Sequence, residues 1–426
     1  MMNHRFCQYA GVFSAIWGLF VLFSIPVHAG EPPSSSDGAL NVRDFGAKGD
    51  GQADDTAAFE KAFAAADKMG GTVVFVPTGN YLIQGTLKVP EHVVVKGVFE
   101  APTTNTQMKG TTLLAVAGEG NAEGDPFITL RTNSTLKGLT IFYPNQIQAN
   151  PPKAYPWTIR GRGDNCSIVD VLLVNPYQAV DFGTFPAGRH YIKNLYAQPL
   201  LKGIFVDQCY DVGRIEDVHL WPFWGGWEGE LGKFTRENGT AFIIGRTDWE
   251  YVQNCFCIGF SIGFHFIKTR AGSPNVVLTQ SGSDIGPTAV LVEDCQTHAG
   301  ISFSNSQFMS TVVVKETNTG PVKFTSCGFW GIETTDHHAV LEGKGTVSFT
   351  ASHFVNWGRK NPDAPAIVAR AGGLIVNGCE FIDPKPQIWL EKNVQSAAIF
   401  GNRLRGGAKI TNQSQGSVEI GFNTVE

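Results

Sequence analysis

No block of Lys or Arg stands out in this sequence, and only 17% of its residues are charged. The formal net charge is −5, which speaks against nucleic acid or an anionic membrane as a partner. So few charges also leave little to solvate long helices. No C-x-x-C occurs, and beyond Cys7 the cysteines are scattered: Cys166, Cys209, Cys255, Cys257, Cys295, Cys327 and Cys379. Cys255 and Cys257 share one strand face, a poor arrangement for a tetrahedral zinc. Their odd number leaves at least one thiol free or paired between chains, and most read as small buried apolar residues. There is no Walker loop, since "GAKGDG" (46–51) lacks both a preceding strand and the G-K-[ST] ending. The "DFG" at 44–46 has none of the partners of a kinase. After residue 29 no apolar run is long enough to span a membrane.

What is present begins with a leader. Arg5, the uncharged run 11–25 and the small-residue end Val27-His28-Ala29 form a secretory signal peptide over residues 1–29, so the protein is expected to be exported. Residues 30–38, containing "EPPSSSDG", read as a linker. The remainder, 39–426, is expected to be one domain. The whole sequence has 49 Gly, and 30 Phe against 9 Tyr, the mark of a turn-rich, β-rich chain with ample apolar core.

Short alternating phrases recur through that domain. "ISFSNSQF", "VKFTSCGF", "VSFTASHF", "LIVNGCEF" and "AIFGNRL" end at Phe308, Phe329, Phe354, Phe381 and Leu404. An earlier set includes "TLKGLTI" (135–141), "SIVDVLL" (167–173), "YIKNLYA" (191–197), "RIEDVHL" (214–220) and "YVQNCFC" (251–257). Each is a strand with a small or polar residue at a bend, at a period that indicates a solenoid. Leucine-rich and helical repeats lack their signatures here. A parallel β-helix remains, with like residues stacked at about 4.8 Å. The open first coil needs a cover, and "DDTAAFEKAFAAADKMGG" (54–71) supplies a helix with Phe59, Phe63 and Ala66 on one face, capped by Asp54 or Asp55.

The stretch "NVRDFGAKGDGQADDTAAFEKAF…GGTVVFVPTGNYLI" (41–83) resembles the opening module of the pectate-lyase-like superfamily, in particular its rhamnogalacturonase/epimerase-like members. The resemblance implies an all-β, single-stranded right-handed parallel β-helix with an N-terminal capping module over 39–83. It also implies a polysaccharide-acting protein, without fixing the reaction.

Two coil intervals are long, and their insertions (142–165 and 221–240) are candidate substrate loops. The second carries Trp221, Trp224 and Trp227 with Arg236 close by, residues suited to stacking on sugars and binding their polar groups. Aligned strands place Val180, Ile204, Phe242, Phe264 and Val290 inside. Asp181, Phe205, Ile243, His265 and Leu291 then form one outward column, and Gly183, Asp207, Gly245, Ile267 and Glu293 a second. "GIFVDQCYDVGRIEDVHL" (203–220) is similar in layout to the polygalacturonase pattern, but Phe205 stands where that family has an Asp, and Asp181 is the nearest equivalent. The family's Asp-Asp and Gly-His-Gly motifs are missing.

Asp211 and Asp248, if stacked on adjacent coils, would lie about 5 Å apart, the separation of a retaining glycosidase pair; they serve equally well as turn residues. For a lyase, His265 is the candidate base and Arg246 the carboxylate clamp, with Asp181 and Asp207 able to hold a Ca²⁺. The "HH" at 337–338 reads as a bland turn. The leading expectation is a lyase or glycoside hydrolase acting on a pectin-like or other uronate-containing glycan. The alternative is a non-catalytic glycan-binding or surface structural protein.

Overall fold

The computed structural model describes residues 38–103 and 108–426. The expected leader and all but the end of the linker lie outside the described residues. The chain winds into a parallel β-solenoid of about 15 turns with two short α-helices. Each regular coil contributes a strand to each of three parallel sheets. The first sheet runs from Leu40–Asn41 through Thr135, Ser167, Tyr191 and Arg214 to Ser417–Gly421. The second follows it directly, through Val171, Leu195 and Val218. The third includes Trp157–Arg162, Gln178–Phe182, Lys202–Val206, Thr240–Ile244, Ile262–Phe266 and Thr288–Val292.

The recurrent phrases of the sequence are the first-to-second-sheet corners. Each turns on one left-handed residue, at Gly138, Asp170, Asn194, Asp217, Asn254, Gln280, Asn305, Ser326, Ala351, Gly378 and Gly401. A single residue at positive φ bends a strand sharply without a loop, and Asn, Asp and Gly tolerate that conformation best. The corner side chains also bond from coil to coil. Asn194 donates to Asp170 at 2.9 Å and Asn254 to Asp217 at 2.8 Å.

Phenylalanine fills the interior in columns. Phe303, Phe324 and Phe349 stack at 4.9 and 5.1 Å, and Phe329, Phe354 and Phe381 at 4.8 and 4.7 Å. Those separations are the coil repeat itself, so the fold imposes face-to-face ring stacking. All seven described cysteines are buried with no disulfide among them.

Helix α1 (Thr56–Lys68) buries Phe59, Phe63 and Ala66, with Phe59 edge-on to Tyr81 at 5.6 Å. The two Asp expected to cap it divide their work differently. Asp54 accepts from the Thr56 amide and hydroxyl, at the very start of the helix. Asp55 reaches backward, accepting from the amides of Lys48 and Gly49. It therefore closes the glycine loop that precedes the helix. Gly49 has φ +64° and lies against the Tyr81 ring, so a side chain there would be both strained and crowded.

Both insertions leave the solenoid between the second and third sheets. Helix α2 (Glu230–Asn238) lies in the second and packs Leu231 and Phe234 on Leu200. The turns from the third sheet back to the first, on the other edge, hold the residues considered next.

Candidate site along the third sheet

The register of the third sheet follows from its inward column. Val180, Ile204, Phe242, Phe264 and Val290 pair in sequence and are all buried. The outward column therefore runs Thr129, Arg160, Asp181, Phe205, Ile243, His265 and Leu291.

Asp181 faces out of the barrel but not into solvent. Its side chain is fully buried and takes the Arg160 Nε–H at 2.5 Å, with the amides of Gly183 and Thr184 at 3.0 and 2.8 Å. Every lone pair of use is committed, so its role here is to hold Arg160 and the following turn. Asp207 likewise accepts from the Arg246 amide at 2.6 Å and the Thr269 hydroxyl at 3.0 Å. Both bonds to Asp207 fall on Oδ1, so Oδ2 alone of these four oxygens takes no protein donor, far fewer than the roughly six to eight oxygens of a Ca²⁺ site. His265 meets Glu293 through Nε2 at 2.8 Å, across one coil.

Asp211 and Asp248 do not stand directly across from each other. Ile215 pairs with Val252, but one coil corner earlier Cys209 pairs with Thr247, so the register slips by one and Tyr210 falls beside Asp248. Each carboxylate also has its own cation: Arg189 bonds Asp211 at 2.8 Å, and Arg246 takes both oxygens of Asp248. The Arg189 guanidinium holds the Asp211 carboxyl below the usual carboxylate range. Two carboxylates each neutralised by a separate arginine are not poised as nucleophile and acid.

The tryptophans of the second insertion turn back onto the second sheet. Trp221 stacks on His219 at 3.9 Å and Trp224 packs on Phe142 at 5.3 Å. The Trp227 carbonyl accepts from Arg236 at 2.6 Å. None is exposed; Trp221 and Trp224 belong to the cluster that anchors the insertions, and the Trp227 ring lies close to Gly259.

Two grooves follow one another along the outer and trailing edge of the third sheet. The first, of about 720 Å³, is lined by Lys88, Arg131, Arg160, Arg162 and Phe185, with Glu91, Asp67 and Asp125 at its rim. Arg131 pairs with Glu91 at 3.3 Å. Arg162 lies over the Phe185 ring at 4.6 Å, and no carboxylate among the described residues pairs with it or with Lys88. The second groove, of about 540 Å³, is lined by Tyr210, Asp211, Asp248, Trp249, Gln296 and His298. Tyr210 and Trp249 are 54% and 59% exposed. Arg246 lies 5.8 Å from the Tyr210 ring centre and lines the adjoining hollow with Asp248 and His298. His298 is exposed and makes no hydrogen bond to another described residue.

Of the residues singled out from sequence, Asp211 and Asp248 line the second groove and Arg246 the hollow beside it; Tyr210, Trp249 and His298 were missed. Position was the available signal: all three sit in turns that leave the third sheet. The cationic groove had no local signal, since its four cations come from three different coils.

Residues 39–153 match the family described as rhamnogalacturonase A/epimerase, pectate lyase-like. Over 271 residues, 55% of the chain, it is 26% identical to an exopolygalacturonase of Arabidopsis thaliana, covering 58% of that protein. Over 45 residues, 11% of the chain, it is 56% identical to alginate lyase 7 of Azotobacter vinelandii, covering 5% of it. The chain thus spans little more than half of the first relative and a small module of the second. Among solved structures, the N-terminal fragment of gene product 12 of bacteriophage Phi29 superposes with a TM-score of 0.58 at 14% identity, covering 86% of this chain and 66% of that one. That likeness is one of fold. The match over residues 39–153 and the fold both support a pectate-lyase-like right-handed parallel β-helix.

Proposed function

We propose that this protein acts on a uronate-containing polysaccharide laid along the trailing edge of the third sheet, and that it cleaves the chain by elimination. The observation that carries the reading is the succession of two grooves on one edge: unpaired cations at Lys88 and Arg162, then exposed aromatic rings and a free imidazole. Lys88 and Arg162 suit the carboxylates of an anionic glycan. Tyr210 and Trp249 suit the apolar faces of its sugar rings. His298 is the base that takes the proton alpha to a uronate carboxylate, and Tyr210 the acid at the leaving oxygen. The names of the relatives, an exopolygalacturonase and an alginate lyase, support a glycan substrate. Hydrolysis by paired carboxylates is disfavoured, because Asp181, Asp211 and Asp248 are each held by an arginine. Export is part of the same proposal, and it rests on reading residues 1–29 as a secretory leader from their sequence.

That same neutralisation favours one second reading, glycan binding without turnover. A panel of uronate and neutral polysaccharides separates the outcomes. Unsaturated uronate ends, detected by their ultraviolet absorbance and lost in His298→Gln, are the expected result. New reducing ends without unsaturation contradict elimination. Saturable binding with no product supports the second reading.

A further inference from the structure

Beneath the second groove lies a buried cluster that no step above uses. His190, Cys209 and Glu250 are each fully buried, and one ligand atom from each lies within 4.8 Å of the others. They occupy the same corner of three successive coils, where the third sheet turns into the first. His190 and Glu250 adjoin the first-sheet strands Tyr191–Ala197 and Glu250–Gln253, and Cys209 lies in the turn between.

The hydrogen-bond pattern leaves one buried oxygen without a donor. His190 Nδ1 lies 2.9 Å from the Ala187 carbonyl, which can only accept, so Nδ1 carries a hydrogen. Nε2 faces the Glu250 Oε1 at 2.8 Å. A second ring hydrogen or a metal ion can stand between that nitrogen and the carboxylate, and a metal ion that binds there displaces the hydrogen. The second Glu250 oxygen, Oε2, is buried and has no partner. An uncompensated buried carboxylate oxygen is costly. The backbone leaves this space to the cluster through Gly213. A Cβ there would stand 2.3 Å from Glu250 Oε2 and 2.4 Å from His190 Cε1.

We propose that His190 Nε2, Cys209 Sγ and the Glu250 carboxylate bind one Zn²⁺ in the interior of the solenoid. One imidazole, one thiolate and one carboxylate are a zinc donor set; Ca²⁺ and Mg²⁺ avoid sulfur. The bond from Nδ1–H to Ala187 is the outer-shell contact that orients a zinc-bound histidine. The unpartnered Oε2 gains a ligand bond. The Cys209 thiol donates to the Asp211 carbonyl at 2.7 Å; as a thiolate ligand it releases that proton, which frees the carbonyl as a further oxygen at the site. With no side-chain surface exposed, the ion is structural. It ties together three coils whose turns carry Tyr210, Asp211, Asp248 and Trp249, and so fixes the floor of the second groove.

The test is metal content and spectroscopy on the full chain. Protein purified with zinc in the medium is expected to hold one equivalent after dialysis. Stripping with a chelator should lower the melting temperature by several degrees, and zinc alone should restore it. Cobalt substitution should give the intense ultraviolet charge-transfer band of a thiolate ligand. Cys209→Ser should abolish that band. Gly213→Ala, which removes no ligand but crowds Glu250, should weaken zinc retention at least tenfold. If Cys209→Ser does not fold, the cobalt spectrum of the unaltered protein decides. Absence of zinc, with a melting temperature indifferent to chelator and zinc, overturns the proposal and leaves a buried His–Glu ion pair.

Discussion

Coils before and after about residue 300 share one core but treat their third sheet differently. In the later coils the outward column is aliphatic, through Val313, Val340 and Val368. The column beside it is a charge zipper: Lys315 meets Glu342 at 3.8 Å, Glu342 meets Arg370 at 2.5 Å, and Arg370 meets Glu391 at 3.5 Å. In the earlier coils the same edge leaves Lys88 and Arg162 without carboxylates and exposes Tyr210, Trp249 and His298 to grooves. Both sets of coils pair charges along the axis, as Arg160 does with Asp181 and Arg189 with Asp211. What sets the earlier coils apart is that Lys88 and Arg162 are left over without a carboxylate.

The largest effect that would break this contrast is expected in the Phe columns. Phe329→Ala removes a ring stacked on Phe354 and should destabilise the fold by about 3–5 kcal/mol. Thermal melting reads the loss, while glycan affinity per folded molecule should hold. Next in size is the cationic groove. Lys88→Ala with Arg162→Ala removes two charge-assisted contacts of about 1.5–3 kcal/mol each at most, so polyuronate affinity should fall tenfold or more. Added salt should narrow that difference.

An acid-sensitivity contrast comes third. His338 is fully buried in the later coils, with Nε2 on the Val355 carbonyl and Nδ1 unpartnered, and burial pushes its pKa down to about 3. The unfolded chain binds the proton first as pH falls through about 6.5. Stability contributed by the neutral ring is thus present above that pH and declines toward pH 3. Denaturant midpoints measured at neutral and at mildly acidic pH should diverge less in His338→Phe than in the parent. An acid limb unchanged by that substitution would sink the assignment. The smallest effect is expected at the zipper: Arg370→Gln, on half-exposed pairs, should change stability by no more than about 1 kcal/mol.

The third-sheet register was legible because each coil repeats the same short alternation, and the inward column from Val180 to Val290 emerged intact. The corner residues were legible for a similar reason: Asn, Asp and Gly advertise a left-handed bend. Less visible was Ala351 in that role, which the coil imposes against its preference. The site was harder. Stacking sets which charges meet, and Arg160 with Asp181, 21 residues apart, is a pair only once the coils are in register. Asp211 and Asp248 were misaligned because the chain slips one residue between Cys209 and Ile215, inside a turn that carries no periodic signal. The tryptophans looked like a binding loop by composition, and what composition omits is the apolar outer face of the second sheet waiting for them at Phe142 and Tyr196.

The central claim is that recognition resides on the earlier coils' trailing edge. Its most direct test is a set of polyuronate binding isotherms for the parent, for Lys88→Ala with Arg162→Ala, and for Arg370→Ala. The account predicts tenfold or greater weakening in the first variant and an isotherm matching the parent in the second. Equal weakening in both, or no binding by the parent to any polyuronate, would contradict it.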